Sequence, residues 1–104
     1  MGNAMISLEE YNLKYNKLLN SDICKEIEKK IDINIQKDIL QKTIEIHSNY
    51  DIQDIKKIMK ILSLKYYAYG WAKLEFFVFP AKVDTCYFIN YKLYNISEDD
   101  HNNL

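Results

Sequence analysis

The sequence contains no arginine: all 14 of its cationic residues are lysine. It also holds only two glycines and one proline among 104 residues. Without arginine the chain lacks the planar guanidinium group that binds phosphate, guanine or carboxylate through two parallel hydrogen bonds. The scarcity of glycine argues against a glycine-rich loop that would cradle a phosphate, and it predicts short connections between regular elements.

Long apolar runs are also missing. No stretch of about 18 apolar residues predicts a transmembrane helix, and the N-terminus has neither the basic region nor the apolar core of a signal peptide. Cys24 and Cys86 lie far apart in the chain, and we expect both to be free and buried in a reducing compartment. The sequence therefore predicts a cytoplasmic protein.

The composition that remains is that of one folded domain. Hydrophobic residues make up 48% and charged residues 28% of the chain, which is typical of globular proteins, and 104 residues fit a single core. We expect one domain over 1–96 and an acidic, disordered tail over 97–104. The formal net charge of −1 argues against strong nonspecific binding to nucleic acids, which depends on neutralising phosphates.

The N-terminal part predicts helices. Ser7 and Glu10 form a capping box, and apolar residues at helical spacing follow over 8–19. Cap-forming residues interrupt the pattern at 20–22, and a buried stripe then continues with Ile23, Ile27 and Ile31. The spacing leaves open whether this is one bent helix or two.

Segment 31–48 fits two structures. Apolar and polar residues alternate over 31–35 and again over 43–47, as in strands. The same region would place five residues on one side of a helix capped by Asn34: Ile35, Ile39, Leu40, Ile44 and His47. Periodicity does not decide between them over such short runs. The density of β-branched residues favours a strand at 43–47.

The remaining pattern predicts a long helix and a hairpin. Apolar residues recur at intervals of three and four over 51–69, and Gly70 is suited to end that helix. Two strands follow at about 72–80 and 85–94. We expect an α+β fold in which N-terminal helices precede the long helix and the antiparallel β-hairpin, with an extra strand near 43–47.

The hairpin register follows from the reversal between the strands. A loop over 81–84 pairs Phe76 with Ile89 and Leu74 with Tyr91, which brings the apolar faces of both strands to one side. On the other side it pairs Phe77 with Phe88 and Phe79 with Cys86, and Lys73 and Glu75 with Lys92 and Asn90.

Segment 69–76, YGWAKLEF, resembles the octamer on the third strand of RNA-recognition motif domains. The positions that match are Gly70, Trp71, Ala72, Leu74 and Phe76. Tyr69 replaces the basic residue of that motif, and Lys73 replaces a ring that would stack on a base. The octamer of the family lies between a strand and a helix, whereas this one lies between a helix and a hairpin. We interpret it as a helix end that leads into a core strand.

Helices followed by a hairpin also resemble a winged-helix domain. Helix 51–69 would then read nucleic acid with the hairpin turn as its wing, and four lysines would contact phosphates: Lys56, Lys57, Lys60 and Lys82. The same lysines fit the solvated face of an ordinary amphipathic helix, and this interpretation is favoured. Nucleic-acid binding remains the alternative function.

Catalytic and metal-binding patterns are missing. Four residues that could hold a metal have no recognisable ligand spacing: Cys24, His47, Cys86 and His101. No nucleophile motif or carboxylate pair is found either. We therefore expect no enzymatic activity, no cofactor and no metal.

Aromatic residues are concentrated near the C-terminus: eleven of the 14 lie within 66–94. The hairpin places part of them opposite its core face, where we predict a protein interface of Phe77, Phe79, Phe88 and Cys86 with a rim of Tyr67 and Tyr94. Such a cluster needs a cover, which the first helix, a second copy of the chain or another protein could provide. We expect a protein-binding module, of the kind found among immunity proteins, antitoxins and phage-borne inhibitors, and a homodimer is kept as an alternative.

Overall fold

The computed structural model describes residues 7–83 and 85–95. The helices are α1 (Leu8–Leu19), α2 (Asp22–Gln36) and α3 (Ile52–Ala68). The strands are β1 (Gln41–His47), β2 (Lys73–Pro80) and β3 (Cys86–Tyr94). This arrangement confirms the predicted α+β class and its C-terminal hairpin. The predicted tail over 97–104 lies outside the described residues.

Two separate helices occupy the N-terminal part. The Ser7 hydroxyl accepts a hydrogen bond from the Glu10 amide at 3.1 Å, as the capping box predicts. Asn20 is the C-cap of α1, and the next residue, Ser21, begins α2 by accepting the Cys24 amide at 3.2 Å. A helix end and a helix start therefore lie side by side, and this explains why a continuous apolar stripe does not give one helix.

Segment 31–48, which fitted both a helix and a strand, contains one of each. Residues 31–36 continue α2, because Ile31 and Asn34 extend its buried face. The chain then turns at Asp38, which has a φ of +61°. The strand predicted at 43–47 is confirmed within β1, so the helical interpretation of that part was wrong.

The long helix predicted over 51–69 is α3. Asp51 caps its start by accepting the Asp54 amide at 2.9 Å. Tyr69 is the C-cap, and Gly70 has a φ of +104°. A Cβ on Gly70 would meet nothing within 4 Å, so backbone conformation and not lack of space favours glycine there. Among the described helices, none is long and apolar enough to cross a membrane.

The three strands form one antiparallel sheet in the order β1-β3-β2. The segment over 69–76 runs from the end of α3 into β2, as interpreted from the sequence. Pro80 is the last residue of β2, an edge strand, where a missing amide donor is tolerated. The strand β3 is central because it pairs with both others.

The predicted hairpin register was wrong by two residues. Phe76 pairs with Tyr91 instead of Ile89, and Ile89 pairs with Val78. The reason is that the loop begins one residue later than predicted. Ala81, the first residue of the predicted loop, still pairs across the hairpin, because its amide donates to the carbonyl of Cys86 at 3.0 Å. A shift of two keeps every side chain on its predicted face, so only the cross-strand partners change.

The core lies between the helices and one face of the sheet. Helix α2 contacts β1, α3 contacts β2, and α1 packs on α2 and α3. The fully buried residues include Ile27 and Ile31 of α2, Ile55, Ile58, Met59 and Leu62 of α3, and Ile46, Ile89 and Tyr91 of the sheet. The buried amide of Asn34 donates to the Tyr91 hydroxyl at 2.9 Å, so this polar group inside the core has a partner.

Candidate functional site

One face of the sheet points away from the helices. Side chains alternate along a strand, so the positions opposite the core form one surface, here called the open face. It consists of Gln41, Thr43, Glu45 and His47 of β1, Lys73, Glu75, Phe77 and Phe79 of β2, and Cys86, Phe88, Asn90, Lys92 and Tyr94 of β3. Within residues 7–83 and 85–95, no helix covers this face, and α1 packs on the other helices instead.

Three phenylalanines form the aromatic patch of the open face: Phe77, Phe79 and Phe88. Phe79 and Phe88 lie opposite each other, with ring centroids 5.7 Å apart and planes tilted by 35°. Phe77 is 69% exposed and Phe79 is 43% exposed, while Phe88 is half-buried between its neighbours. Val83 in the adjoining turn is also 69% exposed. Apolar patches exposed on a protein surface are common at interaction sites.

The other end of the open face is polar, and its side chains contact one another. The Lys73 ammonium lies 3.3 Å from a carboxylate oxygen of Glu75. The Tyr94 hydroxyl donates to the other oxygen of Glu75 at 3.2 Å. The Lys92 ammonium lies 4.7 Å from the centroid of the Tyr94 ring, a cation–π distance. Glu75 offsets the charge of Lys73, so this end keeps the single positive charge of Lys92.

Five of the six residues predicted for the interface share the open face: Phe77, Phe79, Phe88, Cys86 and Tyr94. Cys86 is only 6% exposed, so it contributes little area to the surface of the open face. Tyr67 is 68% exposed but belongs to α3. It therefore lies in the helix layer and does not form the rim of the aromatic patch.

Two of the β1 residues on the open face, Glu45 and His47, lie near Cys86. His47 lies opposite Cys86 across the β1–β3 pair, and its Nε2 atom is 2.8 Å from Oε2 of Glu45. One ligand atom from each of these three residues lies within 4.8 Å of the others. Burial, and then the nearby Glu45 carboxylate, raises the pKa of the Cys86 thiol above its ordinary value.

The sequence did not indicate this cluster, because its members are close only when β1 is paired with β3 in the observed register. Glu45 and His47 are two positions apart in a segment that also fitted a helix. The alternation of apolar and polar residues over 43–47 was the one sequence signal that placed Glu45 and His47 on the same side of a strand. Nothing in the sequence specified Cys86 as their neighbour.

The lysines of the alternative function lie apart from the open face. Lys56, Lys57 and Lys60 belong to α3, and Lys82 lies in the hairpin turn. A helix-turn-helix unit has two consecutive helices joined by a short turn. In this chain β1 stands between α2 and α3, so α3 has no such partner directly before it.

Several side chains between α2 and α3 have pKa values shifted from their ordinary values, and packing explains each shift. Burial and a hydrogen bond to Asp32 raise the pKa of Tyr66 well above its ordinary value. Burial, followed by the Glu28 charge, raises that of Cys24, which is 1% exposed. The Lys65 ammonium pairs with Glu28 at 2.6 Å, which raises its pKa. These contacts join α2 to α3 and leave no accessible nucleophile among them.

A shallow cleft of about 550 Å³ runs between α2 and the free edge of β1. It is lined by Lys30, Ile33, Asn34, Lys42, Ile44, Glu45 and His47. Its volume falls in the range of small-molecule sites, but such sites are concave and mostly apolar, whereas four of these seven residues carry ionisable side chains and the cleft is open.

Comparison of the chain with protein-family models, with curated proteins and with solved structures found no match.

Proposed function

We propose that this chain is a protein-binding module without enzymatic activity, and that its contact surface is the open face centred on the aromatic patch. The observation that carries the proposal is the exposure of Phe77 and Phe79 side by side on a regular strand. A sheet holds such rings in place, so little side-chain freedom is lost when a partner covers them. Large rigid rings of this kind dominate the energetics of many interfaces.

The charges of the open face favour a protein over a nucleic acid. Two lysines, Lys73 and Lys92, are balanced by the two carboxylates of Glu45 and Glu75. Lys73 is already paired within the face, and Lys92 lies over Tyr94. Binding to nucleic acid draws its affinity from cations that neutralise phosphates, and a balanced surface supplies few. A protein with a flat apolar patch matches the rings without needing a charge of one sign.

A second copy of this chain matches the open face poorly. Two identical faces pack around a two-fold axis, and a residue on that axis meets its own copy. An axis along β3 would place Lys92 against Lys92 and Glu45 against Phe79, because those two flank β3 on opposite sides. An axis across the middle of the strands would lay the polar end of one copy on the aromatic patch of the other, and an axis across the patch itself would leave both polar ends without a partner. We therefore propose a different protein as the partner.

Within that class we propose a small inhibitor of the immunity-protein, antitoxin or phage-borne type. The support is the exposed aromatic patch among the described residues, together with a sequence in which no catalytic motif is found. Such an inhibitor acts by covering a surface of its target. If the gene next to the one that encodes this chain specifies a toxin, co-expression of this chain should restore growth, and the variant Phe77→Ser/Phe79→Ser should not.

The binding experiment compares three forms of the chain as baits in extracts of the organism that encodes it. The wild type should retain a specific protein, and Phe77→Ser/Phe79→Ser should lose it. The matched control is Leu64→Ser, because Leu64 is 62% exposed but lies on α3. The retained protein is then purified, and its affinity for each form is measured by calorimetry.

The expected result with the purified partner is a weakening of at least about tenfold for the double variant, or about 1.4 kcal/mol, and an unchanged affinity for Leu64→Ser. Equal affinity of all three forms would overturn the proposal. Partner binding that is lost in Leu64→Ser but kept in the double variant would place the interface on the helices. Self-association of the wild type, lost in the double variant, would make the partner a second copy.

A further inference from the structure

We propose that Glu45, His47 and Cys86 form a binding site for one zinc ion at the turn end of the open face. The three residues offer a carboxylate oxygen, an imidazole nitrogen and a thiolate sulfur, which are the three ligand types that zinc uses in proteins. This site shares the open face with the aromatic patch, where Glu45 pairs with Phe88, but it uses none of the three rings and does not rest on the proposed partner.

The backbone register brings two of the ligands together. His47 lies directly opposite Cys86 in the β1–β3 pair. The next pair along is hydrogen-bonded, since the Ser48 amide donates to the Thr85 carbonyl at 2.8 Å. Hydrogen-bonded and non-hydrogen-bonded pairs alternate in an antiparallel ladder, so His47 and Cys86 form a non-hydrogen-bonded pair. Side chains in such pairs lie closer together.

The distances between the ligand atoms need only small adjustments. In a tetrahedral site with bonds of about 2.0–2.3 Å, ligand atoms lie roughly 3.3–3.8 Å apart. The three candidate atoms lie within 4.8 Å of one another, and the His47–Glu45 distance is 2.8 Å. The side chains of His47 and Glu45 are 67% and 52% exposed. They can therefore rotate around the fixed Cys86 sulfur without movement of the backbone.

The ligand set favours zinc over the common hard cations. Magnesium and calcium select sites made of oxygen atoms, whereas thiolate and imidazole bind zinc well. On binding, zinc replaces the proton on the Cys86 sulfur, and that proton passes to solvent. His47 binds as the neutral imidazole. Three protein ligands leave a fourth tetrahedral position, which a water molecule can fill.

The cysteine is suited to this role by its surroundings. Cys86 is 6% exposed, whereas Glu45 and His47 beside it are exposed and accessible to an ion from solvent. Glu45 pairs with Phe88 one row away, so its carboxylate lies on the same face of the sheet as Cys86. A zinc ion between the carboxylate and the thiolate offsets the repulsion between these two negative charges.

The test uses tag-free protein titrated with Co²⁺ as a spectroscopic probe and then with Zn²⁺ in competition. The wild type should show the thiolate-to-cobalt charge-transfer absorption, and Zn²⁺ should abolish it. Cys86→Ser should lose the absorption. Glu45→Gln and His47→Gln should weaken binding of Zn²⁺ by at least about tenfold, the scale at which even outer-shell changes act. Circular dichroism of each variant checks that the fold is kept.

Matched controls separate this site from other thiols and imidazoles. Cys24→Ala removes the other cysteine and His101→Gln the other histidine, and both should bind as the wild type does. Phe77→Ser/Phe79→Ser should also keep the metal, so failure of the proposed interface and failure of the zinc site are distinguishable. A wild type that gives no charge-transfer absorption, or a Cys86→Ser variant that keeps it, would overturn the proposal.

Discussion

Phe79 and Phe88 lie opposite each other across β2 and β3, with ring centroids 5.7 Å apart, on the face of the sheet that the helices leave open. A tilted pair of rings stabilises the hairpin by about 0.5–1.5 kcal/mol beyond simple burial. Yet Phe79 remains 43% exposed, and Phe77 beside it 69% exposed. The rings thus support one another while much of their area stays available for contact.

The first prediction concerns folding stability. Phe77→Ser should change the free energy of unfolding by less than about 0.5 kcal/mol, because the ring contributes little to the core. Ile89→Ala is the comparison, since Ile89 on the same hairpin is fully buried, and it should cost about 2–5 kcal/mol. Urea unfolding followed by circular dichroism measures both. A large loss in Phe77→Ser would show that the ring belongs to the core.

Residues 31–48 could be predicted from the sequence only in part. The strand at 43–47 could be predicted from its β-branched residues, but the end of α2 could not, because alternation over 31–35 fits a helix and a strand equally. Local pattern does not reveal that Ile31 and Asn34 meet the sheet. That information is in the tertiary packing, which decides between two locally acceptable structures.

The open face could be predicted in part for a similar reason. Because side chains alternate along a strand, the sequence placed Phe77 and Phe79 on the face opposite the core. The register error of two residues did not change that face. The partner of each ring depended on where the reversal begins, which the hydrogen bond of Ala81 decides. The cluster around Cys86 depended on the pairing of β1, which no short-range pattern encodes.

A second prediction concerns the hydrogen bond between Asn34 and Tyr91 in the core. Tyr91→Phe removes the acceptor of the buried Asn34 amide and should cost about 1–3 kcal/mol. The double variant Asn34→Leu/Tyr91→Phe should recover much of that loss, because replacing both partners by apolar groups is nearly neutral. Tyr94→Phe, which loses an exposed hydrogen bond, is the control. Equal stability of Tyr91→Phe and the wild type in thermal unfolding would contradict this account.

The third prediction concerns high pH. Burial and the bond to Asp32 raise the pKa of Tyr66 well above its ordinary value of 10.0. The unfolded chain therefore loses this proton first, so the stability contributed by Tyr66 is complete below about pH 10 and falls as the pH rises further. One such proton corresponds to a slope of about 1.4 kcal/mol per pH unit.

The measurement is urea unfolding at several pH values above 9. Tyr66→Phe should show a shallower decline than the wild type, although not a flat one, because burial also raises the pKa of Tyr91. Tyr67→Phe, which changes a residue that is 68% exposed, should keep the wild-type slope. If Tyr66→Phe declines as steeply as the wild type, the hydroxyl of Tyr66 does not control stability in this range.

A fourth prediction separates protein binding from the nucleic-acid alternative. The wild type should not retard DNA or RNA in gel-shift experiments at physiological salt, because the open face carries balanced charge and α3 carries only scattered lysines. If retardation occurs at low salt, the variant Lys56→Glu/Lys60→Glu decides its origin. A salt-sensitive shift that this variant abolishes, and that Phe77→Ser/Phe79→Ser keeps, would favour the alternative over the proposed interface.

The most direct measurement places a photo-crosslinking phenylalanine derivative at position 77 in living cells of the organism that encodes the chain. The control carries the same derivative at position 64, where Leu64 is similarly exposed on α3. We predict an adduct with one other protein from position 77 and none with that protein from position 64. No adduct from position 77, or the same adduct from both positions, would contradict the claim that the aromatic patch is the contact surface.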